Sequence, residues 1–230
     1  MTREECKQKV KDILIYKNPY AIYHQQNFKT YEAYGEMTPI NSSIINDMPN
    51  AKIVLSDSVY EMLLAIQEAT LQTNQEFSFF LYGQEIANNL IEFNEFISIS
   101  DNRSSAEASF NQTMINNLES KIKENSNRSF VVCHGHSHPP IGNFHQNFSL
   151  GDFTSFVQMN ENNPIFKSRK VELVGALVTS TGDVNFVFYD NINQNFYRFT
   201  KVFVKNKDNK YMSINCYRLN QLQQEDNIIR

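Results

Sequence analysis

Four of the chain's five histidines, His134, His136, His138 and His145, fall within twelve residues. On an extended chain the pattern His-x-His sends both imidazoles to one side, because side chains repeat every two residues along a strand. His136 and His138 can therefore offer two nitrogens to one ion. Asp152 can add a carboxylate oxygen. Three ligands of this N,N,O kind leave a fourth tetrahedral position open for water, which separates a catalytic zinc from a structural one. Ser149-x-x-Asp152 also satisfies the pattern of a helix capping box, so Asp152 has a structural use beside the chemical one.

The segment His136-Ser137-His138-Pro139 followed by Ser149-Leu150-Gly151-Asp152 resembles the His-x-His-Pro…Ser-x-x-Asp signature of the JAB/MPN metalloprotease family, also called JAMM. Upstream, Glu76 stands seven residues before Gly83, an interval similar to that of the family's second motif. There are two departures. Nine residues separate Pro139 from Ser149, more than is usual in the family, and Phe79 occupies a position that is often glycine. The first implies a longer loop at the mouth of the site, the second bulkier packing beside the strand.

The resemblance implies Zn²⁺ held by His136, His138 and Asp152, with Glu76 as general acid and base and Ser149 as a hydrogen-bond donor to a developing oxyanion. It also implies a bacterial zinc-dependent isopeptidase or protease, deubiquitinase-like, acting at the C-terminus of a ubiquitin-like or other conjugated or precursor protein. A non-catalytic MPN scaffold is the alternative, and the five residues above speak against it. A zinc deaminase would need His-x-Glu with Pro-Cys-x-x-Cys, and a thermolysin-like protease would need His-Glu-x-x-His; the sequence has neither. His134 shares the parity of the two ligands. His145 lies in the lengthened loop, where a supporting or substrate contact fits it. Cys133 has the wrong parity for the same ion and reads as a core thiol.

Composition narrows the remaining classes. The 230 residues are 41% apolar and 13% aromatic, enough for a buried core. A net charge of −4 and a pI near 5.8 leave no electrostatic footprint for nucleic acid. Lys201, Lys205, Lys207 and Lys210 form a basic concentration that reads as the solvated side of a strand and turn. Cys6, Cys133 and Cys216 are too few and too scattered for a disulfide framework or a Cys-x-x-Cys metal pair. The first residues lack the apolar core of a signal peptide, and no stretch reaches the length of a membrane span. A cytoplasmic protein without membrane partners is expected.

The elements that must position the site follow from periodicity. Residues 1–50 read as an N-terminal helix, with Cys6, Val10, Ile13 and Leu14 on one face, and a Tyr-rich extension carrying Tyr20, Tyr23, Tyr31 and Tyr34. The resemblance implies that residues 51–204 are the JAB/MPN metalloprotease domain. Its first parts are a strand over 52–55 and a helix with Val59, Met62, Leu63 and Ile66 at i, i+3, i+4 and i+7, capped by Ser58 and Glu61. A strand over 77–82, apolar on both faces, should be central, with Glu76 at its entrance. Then come a strand near 90–98, a helix over 106–124, a strand over 129–133 and a helix over 149–159. Strands near 171–179, 184–189 and 196–204 close the series, the first two joined by a Ser-Thr-Gly-Asp turn. Residues 205–230 read as a C-terminal strand and polar tail. Helices between central strands predict a three-layer α/β sandwich with a mixed central sheet, and the resemblance implies the cytidine-deaminase-like JAB/MPN version of it.

Overall fold

Short apolar runs bounded by turn residues form eight strands among the described residues, and seven of them close into a ring. The computed structural model describes residues 1–16, 34–100, 112–124, 130–140, 146–167 and 171–214. The strands are β1 (Asn46–Ser56), β2 (Ser78–Ala87), β3 (Leu90–Ile99), β4 (Phe130–Ser137), β5 (Val171–Val178), β6 (Val184–Asp190), β7 (Asn195–Lys205) and β8 (Tyr211–Ser213). Their order is β1-β3-β2-β4-β5-β6-β7-β8, and β7 also pairs with β1 in parallel, with Ile53 opposite Val202 and Leu55 opposite Val204.

The architecture is thus a closed seven-stranded mixed β-barrel with a few helices, and not the expected three-layer α/β sandwich of cytidine-deaminase type. The sandwich would leave two sheet edges. Here Lys52–Leu55 of β1 pair with β3 on one side and with β7 on the other, so the barrel has no open edge at that point. Periodicity marks each strand but not the partner on its far side, so the closing pair is absent from the local pattern. Strand β8 continues from the barrel by pairing with Phe203–Lys205 of β7, beyond Phe199, where β6 leaves that strand.

Alternation along each strand divides the core in two. Ile53, Leu55, Phe79, Leu81, Phe93, Val131, Cys133, Val174, Ala176 and Phe186 form one cluster, into which helix α2 (Asp57–Thr73) inserts Val59, Tyr60, Leu63 and Ile66. Met62, expected on that face, is 42% exposed. The cap of α2 is Ser56, which accepts from the Val59 N–H, and not the expected pair Ser58 and Glu61. The other strand face packs Phe80, Tyr82, Phe130, Val132, Leu173, Leu177, Val187 and Tyr189 against α1 (Arg3–Lys11), α3 (Gln112–Glu124) and α4 (Leu150–Asn162).

Helix α1 opens on a capping box of Thr2 and Glu5 and buries Cys6 and Val10, with α4 alongside it. It continues as a π-helical turn over Asp12–Tyr16. A short 3-10 turn, Gly35–Met37, abuts the start of α4. Tyr34 is 53% exposed, whereas Tyr20, Tyr23, Tyr31, residues 101–111, Cys216 and the polar tail lie outside the described residues. Among the described residues no helix is long and apolar enough to cross a membrane.

Candidate metal centre

Strand β4 carries His134 and His136, and His138 follows its last residue. Its residues alternate between the two core clusters: Val131 and Cys133 face the cluster around α2, while Phe130 and Val132 face the outer helices. His134, His136 and His138 fall on the outer side by the same parity. Gly135 lies directly across from Phe79 on β2, and a Cβ there would sit 2.2 Å from the Phe79 ring. The bulk expected of Phe79 is therefore accommodated by the glycine between the first two histidines. Ser137 points the other way. Its hydroxyl lies 2.6 Å from the Thr70 hydroxyl and accepts from the Phe77 N–H at 3.0 Å, which fixes the end of β4 to α2 and to the residue beside Glu76.

Asp152 reaches the same point from the first turn of α4. Ser149 is the N-cap: its hydroxyl accepts from the Asp152 N–H at 3.2 Å, and its own N–H donates to Asp152 Oδ2 at 2.6 Å. The Ser149 hydroxyl also donates to Asp152 Oδ2 at 2.8 Å. The approach to this cap is stitched to the N-terminal segment by the Pro39–Ser149 bridge. Backbone bonds from Ile40 to Phe148 and from Leu150 to Thr38, both 2.8 Å, complete the stitch.

The donor atoms converge. His136 Nε2 and His138 Nε2 are 3.0 Å apart, and His136 Nε2 lies 3.2 Å from Asp152 Oδ1. His138 Nε2 lies 3.5 Å from Asp152 Oδ2. The contacts to Asp152 use both of its carboxylate oxygens, and one ligand atom from each of the three residues lies within 4.8 Å of the others, close enough to meet on a single ion. Both imidazoles are 8% exposed. The buried His-His-Asp group can hold a metal ion. Glu76 is next to it: β2 pairs Ser78 with His136, which sets Glu76 opposite His138, and its Oε1 lies 4.0 Å from His138 Nε2.

Charge in the site is set by burial and by these contacts. Burial alone would raise the Asp152 carboxyl, but the neighbouring His136, with hydrogen bonds from His136 and His138, holds it well below the usual carboxylate range. Burial, reinforced by His136, pushes His134 down to about 3, so it is a neutral imidazole at physiological pH. His134 is half-buried, with its Nδ1 shielded from solvent, and lines a cavity of about 20 Å³ with His136 and Asp152. Burial pushes the Cys133 thiol up, in keeping with a core residue. His145 lies outside the described residues.

Sequence reasoning missed the supports: Ser137, Thr70, Gly135 and the segment 38–40. Parity could have turned Ser137 away from the ligands, but its partner on α2 has no local signature. No protein-family model matches the chain, and no curated protein matches it. Among solved structures, the chain is similar to the solution structure of protein DSY2949 from Desulfitobacterium hafniense. That match has 12% identity and a TM-score of 0.41, and covers 67% of this chain and 94% of that one.

Proposed function

We infer that this chain is a zinc-dependent isopeptidase or protease of JAMM type, hydrolysing an isopeptide or peptide bond at the C-terminus of a ubiquitin-like or other conjugated or precursor protein. The observation that carries this reading is the meeting of Glu76, His136, His138 and Asp152, from three separate elements, around one point. The reading rests on the site and not on the barrel, since one architecture hosts many chemistries. The donor set favours zinc: two imidazoles and one carboxylate, a three-ligand set of the kind that leaves a position for water.

A zinc ion bound there supplies Lewis acidity, which lowers the pKa of water from about 16 toward 7. His136, His138 and Asp152 would hold it, the histidines presenting Nε2 and Asp152, held ionised, the negative charge. Glu76, across the strand pair from His138, takes the proton of the attacking water and returns it to the departing amine. Ser149 orients Asp152 through its hydroxyl. To assist an oxyanion, that hydroxyl would turn from Asp152.

The test uses purified chain, metal analysis and a panel of ubiquitin-like conjugates with and without chelator. Cleavage is expected to depend on zinc and to be abolished by Glu76→Gln at unchanged zinc stoichiometry. Unchanged turnover in Glu76→Gln would defeat the mechanism. Protein that holds no zinc, and gains nothing when zinc is added, would favour a scaffold.

A further inference from the structure

The outer face of β2 holds one more polar group beside the metal centre. Ser78 is fully buried, and its hydroxyl has no hydrogen-bond partner, although its backbone N–H is satisfied by Ser100 Oγ at 3.2 Å. Leaving a buried hydroxyl unpaired is unfavourable, and a native fold that keeps one warrants a reason. Parity gives its direction. Phe79 and Leu81 face the cluster around α2 and Phe80 faces the outer helices, so Ser78 shares the face of Phe80 and of Glu76, two residues before it. Across the ladder its partner is His136 itself. Ser78 therefore shares a strand face with Glu76 and a register position with His136.

We propose that Ser78 is a positioning residue for Glu76, its hydroxyl donating to the Glu76 carboxylate when substrate and metal are in place and so aiming that carboxylate at the attacking water. This rests on the reading of Glu76 as the general base. An alanine cannot serve, whereas threonine or cysteine keeps a donor. A group kept only for packing would behave differently, because removing an unsatisfied buried hydroxyl to leave a methyl relieves a cost.

Zinc-loaded full-length chain with Ser78→Ala, Ser78→Thr and Glu76→Gln tests this on the conjugate that the wild type cleaves. Ser78→Ala is expected to lower kcat about tenfold or more, the size of one lost hydrogen bond to a charged group, with KM unchanged. Its zinc stoichiometry should be unchanged and its unfolding midpoint no lower than wild type. Ser78→Thr should restore most of kcat. Wild-type kcat in Ser78→Ala, a rise in KM alone, or loss of zinc would each overturn the proposal while leaving Glu76 as base. Full turnover in Glu76→Gln would instead remove the reading beneath it.

Discussion

Two helices of this chain begin on the same local motif and use it differently. At the start of α1, the Thr2 N–H donates to Glu5 Oε2 at 2.7 Å and the Glu5 N–H donates to Thr2 Oγ1 at 3.2 Å. At the start of α4, Ser149 and Asp152 make the same reciprocal pair at 2.6 and 3.2 Å. The first box lies in solvent and does no more than open a helix. The second faces the end of β4, and while Oδ2 of Asp152 closes the cap, Oδ1 is 3.2 Å from His136 Nε2. A cap immobilises a carboxylate, and the element opposite decides whether it is used again.

The comparison breaks hardest at the acid. Asp152→Asn keeps an oxygen that can close the cap but removes the charge a divalent ion requires. Metal analysis should show zinc content falling to background and cleavage lost with it, while the metal-free protein unfolds close to the wild-type midpoint. Glu5→Gln, the matching change at α1, should leave zinc content and turnover untouched. Stoichiometric zinc in Asp152→Asn would show that Asp152 is a cap and nothing more.

A smaller effect separates the two cap hydroxyls. Thr2→Ala and Ser149→Ala each remove an N-cap acceptor, worth about 1 kcal/mol, and a chain of this size loses roughly 2–4 °C of unfolding midpoint for that. Only Ser149→Ala should also weaken zinc binding, by about 10- to 100-fold, because its hydroxyl holds the Asp152 carboxylate in place. Zinc titration against a chelating indicator reads the difference. Equal zinc affinity in both variants would reduce Ser149 to the role of Thr2.

The same pair shows what the sequence made legible. Ser149-x-x-Asp152 read both as a cap and as part of a metal site, and the geometry shows the cap closed by a carboxylate that also lies beside His136 and His138. The alternation His134, His136, His138 placed the imidazoles on one side because strand parity is a local property. The barrel is not local: its closing ladder joins residues 46–56 to residues 197–205, and parallel pairing across such a distance has no turn to announce it. Pro49 hid half of β1 as well. The register with β7 shifts between Met48 and Lys52, where a proline can be tolerated, so only 52–55 looked like a strand. Ser56 rather than Ser58 caps α2 because the helix already begins at Asp57, which puts Ser58 inside its first turn and the Ser56 hydroxyl within reach of the Val59 N–H.

The two capped helices are joined through Glu36, and the smallest effect belongs there. Its carboxylate accepts from Arg3 at 2.7 Å and from Lys7 at 3.1 Å, both on α1, while its carbonyl oxygen lies 3.2 Å from where a Cβ on Gly151 of α4 would stand. Burial pushes the Glu36 carboxyl up, but the hydrogen bonds from Arg3 and Lys7 outweigh it and bring it below its ordinary value of 4.5. A carboxyl lowered by folding stabilises the folded state above its unfolded pKa, and that contribution is lost as pH falls through the lower folded value. Glu36→Gln should therefore lower the unfolding midpoint at pH 7, and the gap to wild type should close in acid below the folded pKa. The side chain is 33% exposed, so water and salt screen the pairs and keep the gap small. Zinc affinity should not follow it, because the backbone bonds of Thr38 and Ile40 to Leu150 and Phe148 hold the start of α4 independently. A gap that persists unchanged in acid would mean that Glu36 acts through packing of its stem and not through charge.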